Sequence, residues 1–395
     1  MIIARKKFIS NLLFFIFVGV YFLTSIIDYK GLDIKYIILC FNCVIWGMPV
    51  LIQFTMKRGL TKLYYFDEFK NIIKAIAVLA IISVGFQIIN GQFKLYLLKE
   101  IFFFAMPIIT VFLISNYDKQ ILGSYYFDII LYCSIIYFIK LFGSQLSVEQ
   151  LFNISFINSY SPYESILADY FFLCCMHYAY TGQKYKFIIS AFFCLLAFKR
   201  IHIIFLTLLI LYNFVLHSNK IKYYAKGMVN KKLIKITVLI FCISPFIIYI
   251  ILTDKFSDWF YLYLGLNIND FTMGRIDLIN ALIDSQIINY GLGTTTYFIS
   301  NIYNGAMSAA GNLHNDVFRI YYECTLVGTI VFTYMQFKNA SKSYWSYFLA
   351  LFLFSVMLTS HILTNTLTLI MFYLLISEFN YFKFKRKYNY QIKEA

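Results

Sequence analysis

The sequence predicts an all-α polytopic membrane protein: about 12 transmembrane helices and one large extracytoplasmic loop carrying short amphipathic helices. Three observations predict it. First, the 395 residues are 61% hydrophobic, 21% aromatic and only 13% charged, whereas soluble domains carry roughly 25% charged residues. Second, apolar runs recur at the length that crosses a hydrocarbon core, about 20 residues at about 1.5 Å each. Third, residues 254–312 form a long polar stretch in an otherwise apolar chain, and long ordered loops usually carry function. The whole chain, 1–395, reads as one integral membrane domain.

The apolar runs fall at 8–27, 34–56, 71–89, 95–115, 121–143, 163–181, 184–198, 200–217, 233–253, 313–337, 342–360 and 362–382. The first follows Arg5-Lys6-Lys7 and has no small-residue cleavage site after it, so it reads as a retained helix and not as a signal peptide. The seventh is short for a span. With the N-terminus inside, most of the 34 Lys and Arg residues fall in cytoplasmic segments, including the lysines between Lys220 and Lys235 and the basic tail. The positive-inside rule then puts both termini in the cytoplasm and the polar loop outside. Tyr and Trp crowd the span ends, among them Trp259, Tyr261 and Tyr263, where amphipathic rings anchor at headgroups. A second outward segment, 144–162, reads as a solvated connector or as the lining of an entrance. No internal repeat and no paired Gly/Pro-broken spans are visible, which counts against a carrier.

The formal charge of +15 does not indicate nucleic acid, because the basic residues cluster between apolar spans and form no face. The eight cysteines all lie in apolar runs. Cys40-x-x-Cys43 has no second pair, so neither a disulfide nor a metal site is expected, and no cofactor is called for.

Charges within spans call for explanation, since each costs about 2.5–3.5 kcal/mol on insertion scales. Lys199-Arg200 follows a short helix and is placed at a hairpin tip recessed from the outer surface, either functional or snorkelling to headgroups. Arg319 and Glu323 are spaced to pair along one helix face. Lys99 and Lys140 lie near span ends. Of the five histidines, none shows metal-ligand spacing. His177 and His361 read as polar contacts within the bundle, and His202 is noted for its closeness to Arg200. His314 stands where the outward loop enters a helix, followed by Asn315 and Asp316 as an N-terminal cap. A cap alone does not require the histidine. In the loop, 275–289 has helical spacing, with Arg275 at its start, Asp277 among its polar positions and Gly291 suited to its C-terminal stop. Gly291-x-Gly293 before three threonines reads as a turn more than a phosphate cradle.

Over 186–330 the chain resembles the superfamily of O-antigen ligases and Wzy-type O-antigen polymerases. The resemblance rests on the short-helix hairpin with Arg200 at its tip, on Gly274-Arg275 and Gly291-x-Gly293 in the outward loop, and on His314-Asn315. The family pattern follows His-Asn with nine residues and then Gly-x-x-Gly. Here Gly328 matches and Thr325 replaces the first glycine.

The resemblance implies transfer of sugar chains from undecaprenyl pyrophosphate at the outer face of the inner (cytoplasmic) membrane, without metal. Arg200 and Arg275 would hold the lipid pyrophosphate, and His314 would assist the acceptor hydroxyl. The residue types suit that chemistry. Guanidinium is a permanently charged, bidentate phosphate partner, and imidazole, with an unperturbed pKa of about 6.5, is a base near neutral pH. Lys199, Asp277, Asn315 and His202 are secondary contacts. The expected partners are an undecaprenyl-pyrophosphate-linked oligosaccharide, the lipid bilayer and, from the family, a chain-length regulator. The first function is a polymerase of lipid-linked repeat units. A ligase delivering polymer to lipid A-core and a flippase or exporter of lipid-linked sugars are the alternatives.

Overall fold

The computed structural model describes residues 2–27, 37, 40–41, 43–48, 66–94, 96–117, 125–145, 147, 149, 162–216, 228–265, 267–272, 274–303 and 313–393. Among these every regular element is helical. The elements are α1 (Ile2–Ile27), α2 (Phe66–Ile89), α3 (Tyr96–Tyr117), α4 (Tyr126–Phe142), α5 (Leu167–Thr181), α6 (Lys184–Leu196), α7 (Arg200–Leu216) and α8 (Lys231–Ile251). They continue as α9 (Asp254–Leu264), α10 (Ile268–Phe271), α11 (Arg275–Asp284), α12 (Thr294–Asn301), α13 (Asp316–Ala340), α14 (Tyr344–Met357) and α15 (Thr366–Lys393). The expected run at 34–56 lies mostly outside the described residues.

Among the described residues, four stretches are long and apolar enough to cross a membrane: Lys7–Thr24, Phe69–Ile89, Tyr126–Gln145 and Lys231–Ile251. Shorter apolar helices cover Arg200–Asn213, Tyr344–Met357 and Thr366–Asn380. Its described residues are thus all-helical, and the apolar helices mark a membrane protein. Local chemistry sets several helix ends. The side chains of Asn230, Asn315 and Ser343 accept from backbone N–H groups of the first turns of α8, α13 and α14, satisfying donors that the helix leaves open. Gly182 closes α5 with a left-handed φ of 76°, the conformation glycine takes without a Cβ penalty.

The chain divides into two compact units. Unit 1 is Met1–Phe69, Met106–Ala225 and Leu367–Ala395; unit 2 is Lys70–Ala105 and Lys226–Thr366. In unit 1, α5 is buried from Leu167 to Tyr178 and packs against α4, α6 and α7. Phe138 of α4 gathers Phe142, Tyr163, Phe171 and Phe193 around it. Polar ties cross this apolar packing. His177 Nδ1 meets Glu378 at 2.9 Å, with the imidazole stacked on Phe127. Lys186 meets Asp128 at 2.8 Å.

In unit 2, α8 packs on α13 and α13 on α14, with Phe241, Phe337 and Phe354 in mutual ring contact. Unlike the uninterrupted span expected at 313–337, α13 breaks at Thr325, where φ is 64° and ψ 176°.

Candidate functional site

Unit 1 builds the hairpin tip around Arg200. The preceding α6 has 13 residues, about 20 Å at 1.5 Å per residue, as the sequence expected of a short helix. Ala197 ends it, Phe198 takes a left-handed φ of 24°, and α7 begins at Arg200. Arg200 is half-buried and feels the carboxylate of the exposed Glu164. Beneath the tip, Asp169 of α5 is 1% exposed. Its Oδ1 lies 2.6 Å from His202 Nε2 and 3.4 Å from Lys199 Nζ. Lys199 and His202, expected as substrate contacts, are thus both engaged by a carboxylate that the sequence reading passed over. A buried acid is stable only when paired, and this pairing fixes both sides of the tip.

Unit 2 builds the loop. Gly274 at φ 76° turns the chain out of α10, its N–H donating to the Asn269 carbonyl at 2.9 Å, and α11 starts directly at Arg275. Asn269 also donates through Nδ2 to Asp277, so Asp277 braces this turn. The helix stops at Asp284, well before Gly291, correcting the expected 275–289 helix and its glycine stop. Its apolar face ends with Ile283, and polar Asp284-Ser285-Gln286 break the pattern.

Gly291 serves a different need. Its φ is 94°, and a Cβ there would stand 2.5 Å from Ser83 Cα. The Leu292 N–H donates to Ser83 Oγ at 3.0 Å. Gly293 then precedes α12, so Gly291-x-Gly293 is a turn that docks the loop on α2.

His314 lies half-buried between buried Leu313 and Asn315. Asn315 is the cap of α13, its Oδ1 accepting from Phe318 N at 2.8 Å; that oxygen is committed, although the sequence also proposed Asn315 as a substrate contact. Leu313 and Phe318 share one apolar cluster with Leu278, Ile279 and Leu282 of α11 and Phe298 and Ile299 of α12. The helix that Arg275 opens and the entry that carries His314 therefore rest on a common core. Arg200 belongs to unit 1, and Arg275 and His314 to unit 2.

Below His314 runs a buried polar chain. Asp316 Oδ2 accepts from Ile362 N at 2.7 Å and Leu363 N at 2.9 Å, and Asp316 Oδ1 lies 2.6 Å from His361 Nδ1. His361 Nε2 is 3.5 Å from Arg319 Nη1. A guanidinium only donates, so His361 carries its proton on Nδ1 and gives it to Asp316. Arg319 pairs with Glu323 at 3.3 Å, as the spacing predicted, and more closely with Glu100 at 2.6 Å. Glu323 Oε1 in turn accepts from Thr295 N at 2.9 Å and Thr295 Oγ1 at 2.6 Å, tying α12 to α13. Sequence reasoning missed Glu100, Asp169 and Glu378; their one signal was a lone carboxylate in an apolar run.

No family model, curated protein or solved structure matches the chain.

Proposed function

We propose that the protein is a metal-independent glycosyltransferase that polymerises lipid-linked oligosaccharide repeat units, O-antigen or capsular, from an undecaprenyl-pyrophosphate donor. The reading places about 12 spans in the inner membrane, both termini inside and 254–312 outside. Arg200 and Arg275 bind the pyrophosphate and stabilise the charge that grows on it as the glycosidic carbon leaves. His314 takes the proton of the attacking sugar hydroxyl. The observation that carries the reading is the shared apolar core beneath the start of α11 and the entry to α13, which mounts a guanidinium and an imidazole on one support.

The test is Arg200→Ala, Arg275→Ala and His314→Ala, each scored for surface glycan length and for membrane-inserted protein. Long chains are expected to vanish in all three while insertion persists; normal chain lengths in all three would refute the mechanism. Gene deletion separates polymerase from ligase. Loss of a polymerase leaves a single repeat on the core, and loss of a ligase leaves bare core with lipid-linked polymer accumulating.

A second reading, a flippase or exporter of lipid-linked sugars, is favoured by one observation. The break of α13 at Thr325 lies beside the buried Glu323 and Arg319, and broken helices with buried charges recur in transporters. Lipid-linked sugar moved across proteoliposomes without any change of chain length would select it.

A further inference from the structure

Unit 1 carries a groove of about 440 Å³ where α5 ends, α6 begins and α7 nears its close. The volume falls within the roughly 300–1,000 Å³ of small-molecule sites. Ala179, Phe187, Ile188 and Ile210 give it apolar walls, and Lys184 and Asn213 supply polar groups. Gly182 keeps the end open: at φ 76°, a Cβ there would meet no heavy atom within 4 Å.

The charges at this turn are unequal. Lys186 is neutralised by Asp128 at 2.8 Å, and Asp128 also accepts from Tyr178 Oη at 2.7 Å. Among the described residues no carboxylate pairs with Lys184, which is exposed. The start of α6 adds the positive end of a helix dipole on the same side. A soluble anion would have no use for the apolar walls, and an uncharged lipid would leave the ammonium unmatched. The occupant that satisfies both has an apolar chain and an anionic head.

We propose that this groove binds an anionic glycerophospholipid, with one acyl chain along Phe187, Ile188 and Ile210 and the phosphate at Lys184 and Asn213. The site is independent of the glycosyl-transfer reading. Lys184 supplies charge, so its loss weakens binding of an anionic lipid and not of a zwitterionic one with the same chains. Ile210 supplies wall, so filling it removes both.

The test is native mass spectrometry of the full-length protein titrated with phosphatidylglycerol and with phosphatidylcholine of matched chains. Wild type is expected to prefer phosphatidylglycerol. Lys184→Gln should weaken that binding about fivefold, the size expected of one lysine near an anionic headgroup, and leave phosphatidylcholine unchanged. Ile210→Trp, at an exposed position, should displace both lipids with the thermal midpoint preserved. Equal binding of the two lipids by wild type overturns the proposal, as does phosphatidylglycerol binding that neither variant alters. A polyprenyl phosphate that displaces phosphatidylglycerol in a Lys184-dependent way would also overturn it, by making the polyprenyl lipid the occupant.

Discussion

Thr325 holds φ 64° and ψ 176°, a region that only glycine enters freely and that costs other residues about 1–3 kcal/mol. The strain persists because neighbours fix the break. Asn289 Nδ2 donates to the Tyr322 carbonyl at 2.6 Å, taking up an acceptor in the last turn before it. A Cβ on Gly328 would lie 2.6 Å from Cys324 Cβ, so the turn after it stays close-packed as well. Thr325 itself is exposed, and removing its side chain loses little packing. Thr325→Gly is therefore expected to stabilise by about 1 kcal/mol after glycine's added chain entropy of roughly 0.5–1 kcal/mol. A lower thermal midpoint than wild type in detergent would show that the backbone there carries no strain. Gly291 is the converse case. Gly291→Ala forces a methyl onto Ser83 and an unfavourable φ on alanine, and should cost about 2 kcal/mol or more. An unchanged midpoint would mean that the loop does not dock on α2.

At the scale of elements, the helices were legible because an apolar run of membrane length admits little else. The expected runs at 233–253, 184–198 and 200–217 agree with α8, α6 and α7 to within about two residues, the usual spread of helix ends. The break in α13 was legible only as a departure, a threonine where the resembling family has glycine. Partners of the buried charges were not legible, because Glu100 to Arg319 and Asp169 to His202 are contacts between distant stretches that no local spacing encodes. Arg319 holds two buried carboxylates at once. Arg319→Met should thus cost about 3–5 kcal/mol, the range for removing one partner of a buried ion pair. Adding Glu323→Gln should recover part of the loss in a double-mutant cycle, and strict additivity would rule out their coupling.

The loop helix α9 makes a separate prediction. Trp259, Tyr261, Leu262 and Tyr263 are 49–77% exposed, as suits a helix lying at a membrane interface. Of the three tryptophans, Trp46 and Trp345 are buried. Lipid-borne quenchers placed near the headgroups should dim the fluorescence of Trp259, and Trp259→Phe should abolish most of that quenching. Quenching that survives the substitution would put α9 away from lipid.

For the whole molecule, orientation rests on charge and not on packing. The excess of Lys and Arg is concentrated in short segments, Arg5-Lys6-Lys7 at one end and Lys383 to Lys387 at the other. Short basic segments resist translocation, so the proposed topology keeps both ends inside. Between Lys235 and Lys338 the chain holds few cations, chiefly Lys255, Arg275 and Arg319, and Arg319 is neutralised within the protein. The helix Lys231–Ile251 has Lys231 and Lys232 at its start and no basic residue in its last turn, so it should run from inside to outside. Alkaline phosphatase fused after Leu264 should accordingly be active, and the same enzyme fused after Lys232 inactive. A fluorescent protein at the C-terminus should fold and fluoresce in the cytoplasm. The reverse pattern would place His314 and Arg275 on the cytoplasmic side, where a donor displayed at the outer face could not reach them, and glycosyl transfer there would have to be abandoned whatever the variants of single residues showed.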